Sequence, residues 1–531
     1  MIAFEWTYQI ERQLPFTPTE GQHEAIVRFS EFMATPTGQP AFVMRGSAGT
    51  GKTSVARAIV SAMGVLKQKV VLLAPTGRAA KVLSMGIERP AFTIHRRIYR
   101  QKSYMAGQFT LNDNLHTDTL FLVDEASMIN HGASSGGAEM FGSGSLLDDL
   151  VRYVYAGRNC RLMLIGDTAQ LPPVGCDEAP ALMTDFLSGY GLQVFDYDLV
   201  EVLRQAEDSG ILYNATRLRY MITYDEITAL PRMTFKGFAD ISICPGTELI
   251  DQLGSSYSQV GHDETIVITR SNKRANIYNM GIRNQVLWYE DELGSNDQLM
   301  IVKNNYYWTN DSPSALPARE ETSSYPALHK REGVVTSTNG HADSKSISQS
   351  PPLGEVGRGL PPAFLANGDR CVVRRVRNVR ELYGFHFADV LLQFPDYPIV
   401  NEQGTIDGYY ELQATVLLDT LHSEAPVLTH DQQEQLFNNV IADYADLPLK
   451  QDRYNRMRQD CYFNALQVKY AYAVTCHKAQ GGQWQHVYLD QGYMTDDMLT
   501  PSYIHWLYTA FTRATSHLYL VNWPKEQVES E

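Results

Sequence analysis

At 531 residues the chain exceeds what one hydrophobic core serves, and at ~150 residues per domain it divides into three or four. A composition of 44% hydrophobic and 20% charged residues, with no apolar run near the ~20 residues of a membrane span, excludes a membrane-inserted class. The formal net charge of −15 confines any nucleic-acid path to a local basic channel, because phosphate contacts need Lys and Arg. The first sixteen residues (MIAFEWTYQIERQLPF) lack a basic stretch followed by an apolar one, so no secretory leader is read and a cytoplasmic protein is expected. Cys160, Cys176, Cys244, Cys371, Cys461 and Cys476 form no C-x-x-C pair, which points to buried reduced thiols rather than zinc or disulfides.

In chain order, the first element is a helix expected with Thr17 as N-cap, Pro18 at its first position and Glu20 completing a capping box; Ile26, Phe29 and Met33 form its apolar stripe. The segment AFVMRGSAGTGKTSVARAIV follows, with the pattern G-x-x-x-x-G-K-[ST] at Gly46, Gly51, Lys52 and Thr53. A predicted strand (Ala41 to Met44) precedes the glycines, and a helix with Val55, Ile59 and Met63 on its inner side follows. That order lets backbone N–H groups and the helix dipole hold a phosphate chain. Gly49, Thr50 and Ser54 complete the loop.

A phosphate loop needs a carboxylate for magnesium at the end of another strand. TLFLVDEASM supplies it: Leu120 to Val123 run into Asp124, expected with Thr53 on the metal, and Glu125, expected to orient or deprotonate the attacking water. RLMLIGDTAQLPPV repeats the design, with Leu162 to Ile165 as strand and Gln170 placed toward the γ-phosphate or the attacking water. Apolar strands alternating with helical patterns over the first ~200 residues predict a parallel sheet with crossover helices.

With DEAS before it, GDTAQLPPV resembles motif III of superfamily 1 helicases, and the other motifs stand in order. LLAPTGRAAKVLS (72–84) resembles motif Ia, TIHRRIY (93–99) motif Ib, LVEVLRQ (199–205) motif IV, AYAVTCHKAQGGQWQHVYLD (471–490) motif V and WLYTAFTRATSHLYLV (506–521) motif VI. The resemblance is to the superfamily 1B group with RecD-like, Dda-like and Pif-related members. It implies two tandem RecA-like parallel-sheet domains with a small β-rich, barrel-like domain inserted in the second.

It also implies roles. Gln22 reads the adenine edge, Arg204 and Arg513 reach the γ-phosphate from the second domain, and Lys52, Glu125 and Gln170 complete the catalytic set. Thr76, Thr93, His95, Thr475, His477 and Lys478 contact the DNA backbone. The implied activity is ATP hydrolysis with magnesium, coupled to 5′ to 3′ movement along single-stranded DNA and to duplex unwinding at single-strand/duplex junctions, by a monomer serving replication, recombination or repair partners. The rival readings are an RNA helicase or RNA–protein remodeller, and an ATP-binding single-strand-binding subunit that does not translocate.

The expected boundaries are 1–195 for the first RecA-like domain with a short hairpin near 100–117, 196–290 plus 461–531 for the second, and 291–460 for the inserted β-rich domain. In the hairpin, Gly107 suits the turn, and Phe109 or Tyr104 is a candidate strand-separation pin. Alternating stretches at Asp369 to Val376 and Phe387 to Gln393 read as strands. Residues 310–361 are rich in Ser, Pro and Gly without periodicity, as in an insertion, and IVKNNYYW and AFLANGD read as two sides of one interrupted element.

Overall fold

The computed structural model describes residues 2–529 except 37, 102–107, 133–139, 174, 202–207, 225–226, 228, 306, 310–364, 401–405 and 496–497. The expected insertion, Tyr104, the Gly107 turn and Arg204 therefore lie outside the described residues.

The chain begins with helices α1 (Ala3–Glu11) and α2 (Glu20–Ala34). The cap of α2 lies two residues beyond the expected Thr17: Thr19 Oγ1 accepts from Gln22 N–H at 3.3 Å, and Gln22 Oε1 accepts from Thr19 N–H at 3.2 Å. Thr19 and Gln22 close a reciprocal capping box, and two such bonds outweigh the preference of Pro18 for a first turn.

The first parallel sheet contains β1 (Pro40–Gly46), β2 (Lys69–Ala74), β3 (Ala91–Thr93), β6 (Thr119–Val123), β8 (Arg161–Gly166) and β9 (Gln193–Leu199), in the order β3-β2-β6-β8-β1-β9. Helices α3 (Lys52–Val65), α4 (Gly77–Ile87) and α5 (Ile94–Ile98) each start at the carboxyl end of a sheet strand. Val55, Ile59 and Met63 of α3 are at most 1% exposed, and each buried apolar side chain contributes on the order of 1.5–3 kcal/mol. Because β9 pairs along its whole length with β1, this domain runs to Leu199, and the boundary expected at 195 falls inside a strand. Beside it, β4 (Tyr99–Gln101), β5 (Gln108–Leu111) and β7 (Met140–Phe141) form a three-stranded sheet, with β4 and β5 antiparallel as the hairpin reading requires.

The second parallel sheet, ordered β10-β19-β18-β11-β17, uses β10 (Ile241–Cys244), β11 (Thr265–Thr269), β17 (Ala473–Thr475), β18 (Trp484–Asp490) and β19 (Ala514–Val521). Between its halves stands a closed five-stranded barrel of β12 (Gln298–Ile301), β13 (Arg370–Leu382), β14 (Phe385–Val400), β15 (Ile406–Leu417) and β16 (Leu466–Tyr470). The architecture is two RecA-like parallel-sheet domains with a β-barrel inserted in the second.

Two details depart from the expectations for 291–460. The closing strand β16 lies beyond 460, and residues 419–458 carry three helices rather than strands. Leu436 and Val440, four apart on one helix face, pack there on Phe385, Phe387 and Leu417 of the barrel wall. Asn305 and Leu365 exchange both backbone hydrogen bonds at 2.8 Å, so the two sides of the interrupted element do pair. The six thiols are free; Cys160, Cys244, Cys371 and Cys476 are buried, while Cys176 and Cys461 are half-buried. Among the described residues no helix is long and apolar enough to cross a membrane.

Candidate functional site

The loop between β1 and α3 has the backbone of a phosphate cradle. Gly49 and Gly51 have φ of +85° and +86°, the left-handed region in which a side chain is strained. A Cβ on Gly46 would lie 2.7 Å from Thr50 Oγ1 and 3.0 Å from the Leu199 carbonyl, so the loop closes tightly only with glycine there. Thr50 Oγ1 donates to the Ser47 carbonyl at 2.9 Å, and Lys52 Nζ donates to the Gly46 and Ser47 carbonyls at 2.8 Å each, laying the ammonium along the inside of the loop. Thr53 and Ser54 open α3, with Thr53 exposed.

Asp124 directly follows β6, its N–H donating to the Leu73 carbonyl at 3.0 Å. Burial, then the neighbouring Glu125 charge, pushes its carboxyl up to about 6, against the Glu125 N–H and Lys52, which favour the ion. Glu125 sits at φ +52°, a backbone kink beside Asp124.

Three buried polar atoms here have no hydrogen-bond partner: Gln22 Nε2, Ser47 Oγ and Gln170 Oε1. An unmet buried polar group costs about 1–3 kcal/mol, so each of the three calls for a polar partner. A nucleotide fits: Gln22 Nε2 offers a donor for a base edge, and the loop amides and Lys52 suit phosphates. Thr53 and Asp124 are the residues that would hold a magnesium ion, a hydroxyl and a carboxylate being the hard oxygen donors it takes.

The far side of the cleft is the helix Pro501–Phe511. His505, Tyr508 and Thr509, on one face at i, i+3 and i+4, grip the segment after β8. The Tyr508 hydroxyl donates to Asp167 and accepts from Ala48 N–H at 3.2 Å, joining the phosphate loop to motif III through one oxygen. Thr509 Oγ1 accepts from Leu171 N–H at 2.7 Å, Gln480 Nε2 donates to the Leu171 carbonyl at 2.8 Å, and His505 Nδ1 lies 2.9 Å from the Ala169 carbonyl. Ala169 and Leu171 are at most 5% exposed and belong to the second domain's apolar core.

Arg513 is placed differently from its expected post on the γ-phosphate. Its guanidinium donates to the Thr509 and Gly482 carbonyls and to Thr512 Oγ1, and it is 3% exposed inside its own domain.

The predicted backbone-contact residues lie where the strands end. Thr76 and Thr93 are the N-caps of α4 and α5, accepting from Ala79 and Arg96 N–H. Burial holds the half-buried His95 down to about 4, a neutral ring at working pH. Thr475 ends β17, next to exposed His477. Lys478 is driven down to about 8, by burial and then by Lys469, itself lowered to about 8 by burial. A lysine whose charge is disfavoured by burial and by a second lysine suits a polyanion. The sequence reading missed Lys469, which an alternating strand hides. It also missed His505, Tyr508 and Thr509, although their spacing makes a polar stripe in an otherwise apolar helix.

Of the two pin candidates only Phe109 is corrected, Tyr104 lying outside the described residues. Phe109 is 6% exposed and packed in the first domain's core, so its ring offers no face to a base.

Residues 18–220 match the family model of an AAA domain, and residues 470–521 match that of a UvrD-like helicase C-terminal domain, one on each side of this cleft. The motif order and these two matches resemble the RecD-like and Pif-related group of superfamily 1B. An ATP-dependent RecD2 DNA helicase of Deinococcus radiodurans is 34% identical over 136 residues, 25% of this chain and 16% of that relative. An uncharacterized protein of Methanocaldococcus jannaschii is 22% identical over 509 residues, 90% of this chain and 36% of its own length. The chain thus spans well under half the length of these relatives. A crystal structure of Bacteroides Pif1 helicase with ADP-AlF3 and single-stranded DNA is 12% identical, covers 97% of this chain and 95% of its own, and has a TM-score of 0.43.

Proposed function

We propose that the chain is an ATP-hydrolysing motor that travels 5′ to 3′ along single-stranded DNA and separates duplex at junctions. The observation that carries the hydrolysis step is the cross-cleft grip: Tyr508 touches the phosphate loop and motif III at once, so an event at the nucleotide is felt by the second domain. The RecD2 relative is an ATP-dependent DNA helicase by name, which favours DNA as the track. ATP with magnesium brings the phosphoanhydride to be cleaved and the cation that offsets its charge.

The roles of the chain's own groups follow from their places. Gln22 orients the base, the loop amides and Lys52 neutralise phosphate oxygens, and Glu125 accepts the proton of the attacking water. Gln170, its Oε1 unpaired, orients that water. Arg513 has to leave its intradomain carbonyls to reach a γ-phosphate, where Arg204 of motif IV joins it, so charge stabilisation is tied to closing the cleft. Thr76, Thr93, His95, Thr475, His477 and Lys478 hold the strand by its phosphates, which positions it without reading sequence.

The test is the ATPase rate with no nucleic acid, single-stranded DNA, single-stranded RNA and duplex DNA at one salt concentration. Single-stranded DNA is expected to stimulate most. Equal stimulation by RNA makes the track RNA, and no stimulation by any of them removes the motor reading.

A further inference from the structure

The barrel strand β14 loses its ladder where it meets the first domain. Phe394 pairs with Tyr410 and Pro398 with the adjacent Tyr409, so Pro395, Asp396 and Tyr397 bulge out of register between two prolines. The bulge lands on α4, the motif Ia helix: Lys81 Nζ donates to the Pro395 carbonyl at 2.7 Å and to Asp396 Oδ1 at 2.9 Å. Asp396 is 7% exposed at its side chain.

Beside it, Asp369 is fully buried and stands against Gly77, the first residue of α4, where a Cβ would meet its Oδ1 at 2.3 Å. Asp369 Oδ2 accepts from Tyr397 OH at 2.9 Å and Ala366 N–H at 2.8 Å, but Oδ1 has no partner. The Asp369 carboxyl thus stands at the N-terminal end of α4, where the helix dipole favours an anion, and the Asp396 carboxylate lies one turn along it at Lys81.

The first domain meets them with cations. Arg78 lies over Trp484 at 4.2 Å and donates to the Gln483 carbonyl at 2.7 Å, with Nε buried and unpaired. Burial and then Arg370 lower it to about 10, and the carboxylates acting on it in return, Asp396, Glu264 and Asp263, all belong to the other two domains. Arg96 of α5, over the Phe92 ring at 5.4 Å and within electrostatic reach of Tyr397, is the third cation. Without the barrel this face is basic, with helix amides at its centre.

We propose that Arg78 and Lys81 of α4, with Arg96 of α5, form a seat for a phosphodiester of the bound strand, and that Asp369 and Asp396 of the barrel hold this seat when no strand is present. This rests on the nucleic-acid reading above and extends it: strand binding displaces the barrel from motif Ia. A carboxylate is a short stand-in for a phosphate, and it leaves Asp369 Oδ1 unmet, a cost of about 1–3 kcal/mol that keeps the plug displaceable.

The experiment measures binding of a fluorescent oligo(dT) and of heparin, a polyanion without bases, to the full chain and to D396A, D396N, K81A and the charge swap K81D/D396K. Releasing the plug in D396A or D396N is expected to tighten both ligands about five- to tenfold, as removal of a competing closed state does. K81A is expected to weaken both, and the swap, which re-forms the ion pair with the acid on the phosphate side, to weaken them further. Unchanged or weaker binding by both Asp396 variants overturns the proposal, as does a swap that binds like wild type. If D396A tightens heparin while no variant binds oligo(dT), the seat and plug stand and the nucleic-acid reading falls.

Discussion

Replacing Asp369 by Asn converts a titrating carboxyl into a permanent analogue of its protonated form. The Asn oxygen can accept from Ala366 N–H and Tyr397 OH as Asp369 Oδ2 does, while its amide takes the place of the oxygen facing Gly77. In the wild type, burial and then the Asp396 charge push Asp369 from 3.8 to about 7, against the bonds from Ala366 and Tyr397. A shift of about three units corresponds to roughly 4 kcal/mol at ~1.36 kcal/mol per unit. Since the folded-state value is raised, the folded protein holds this proton better than the unfolded chain. The associated stability is complete below about pH 4 and is lost as pH rises through about 7. Asp396 has the opposite sign: burial raises it, but Lys81, Arg78 and Arg370 together lower it in the folded state, so its contribution is lost only as pH falls through and below the usual carboxylate range. Urea unfolding of wild type and D369N at pH 5, 6, 7 and 8 isolates the first group. The variant is expected to gain on wild type by about 1 kcal/mol per unit from pH 5 to 7 and to hold a constant lead above 7. A gap that does not change with pH refutes the buried, proton-holding carboxyl.

Four further outcomes are expected. Lys52→Ala abolishes ATP turnover while oligo(dT) binding, read by anisotropy, stays within about threefold of wild type, because Lys52 bonds only within the phosphate loop. Tyr508→Phe removes a bond to a charged group worth about 1.5–3 kcal/mol, so DNA-stimulated turnover falls roughly ten- to a hundredfold, whereas unstimulated hydrolysis changes less. Gln22→Ala erases the preference for ATP over GTP, measured as the ratio of kcat/KM values, by leaving the base edge without its donor. Asp297→Ala strands Arg283, which is 1% exposed and bonded to both Asp297 oxygens at 2.8 and 2.9 Å, and lowers the stability of the barrel and second sheet by about 3–5 kcal/mol in thermal or urea melts.

The nucleotide half of the site was legible because its chemistry demands contiguous residues. Gly46 to Thr53 and Asp124-Glu125 each sit in one short stretch after one apolar strand, and the structure brings those stretches together as adjacent strands of a sheet must. The cross-cleft half was not, because Tyr508 meets Ala48 and Asp167 across more than three hundred residues, and nothing local marks such a partner. Nothing in the sequence marked Asp369 and Asp396; only the bulge in β14 and the docking of the barrel on α4 bury them. Phe109 was misread for the opposite reason: a hairpin pattern shows that strands pair, not which side of the pair faces the core. The helices within 419–458 escaped because a β-rich expectation absorbed their weak periodicity.

The paired backbones of Asn305 and Leu365 make one doorway through which the chain leaves and re-enters the barrel wall. Whatever lies between enters and exits at a single rung, so its length is nearly decoupled from the wall, each doubling adding only about 0.6 kcal/mol of closure entropy. The doorway is a natural mounting point: a fluorescent protein or affinity tag spliced there would ride on the barrel and report its swing away from motif Ia without touching the motor.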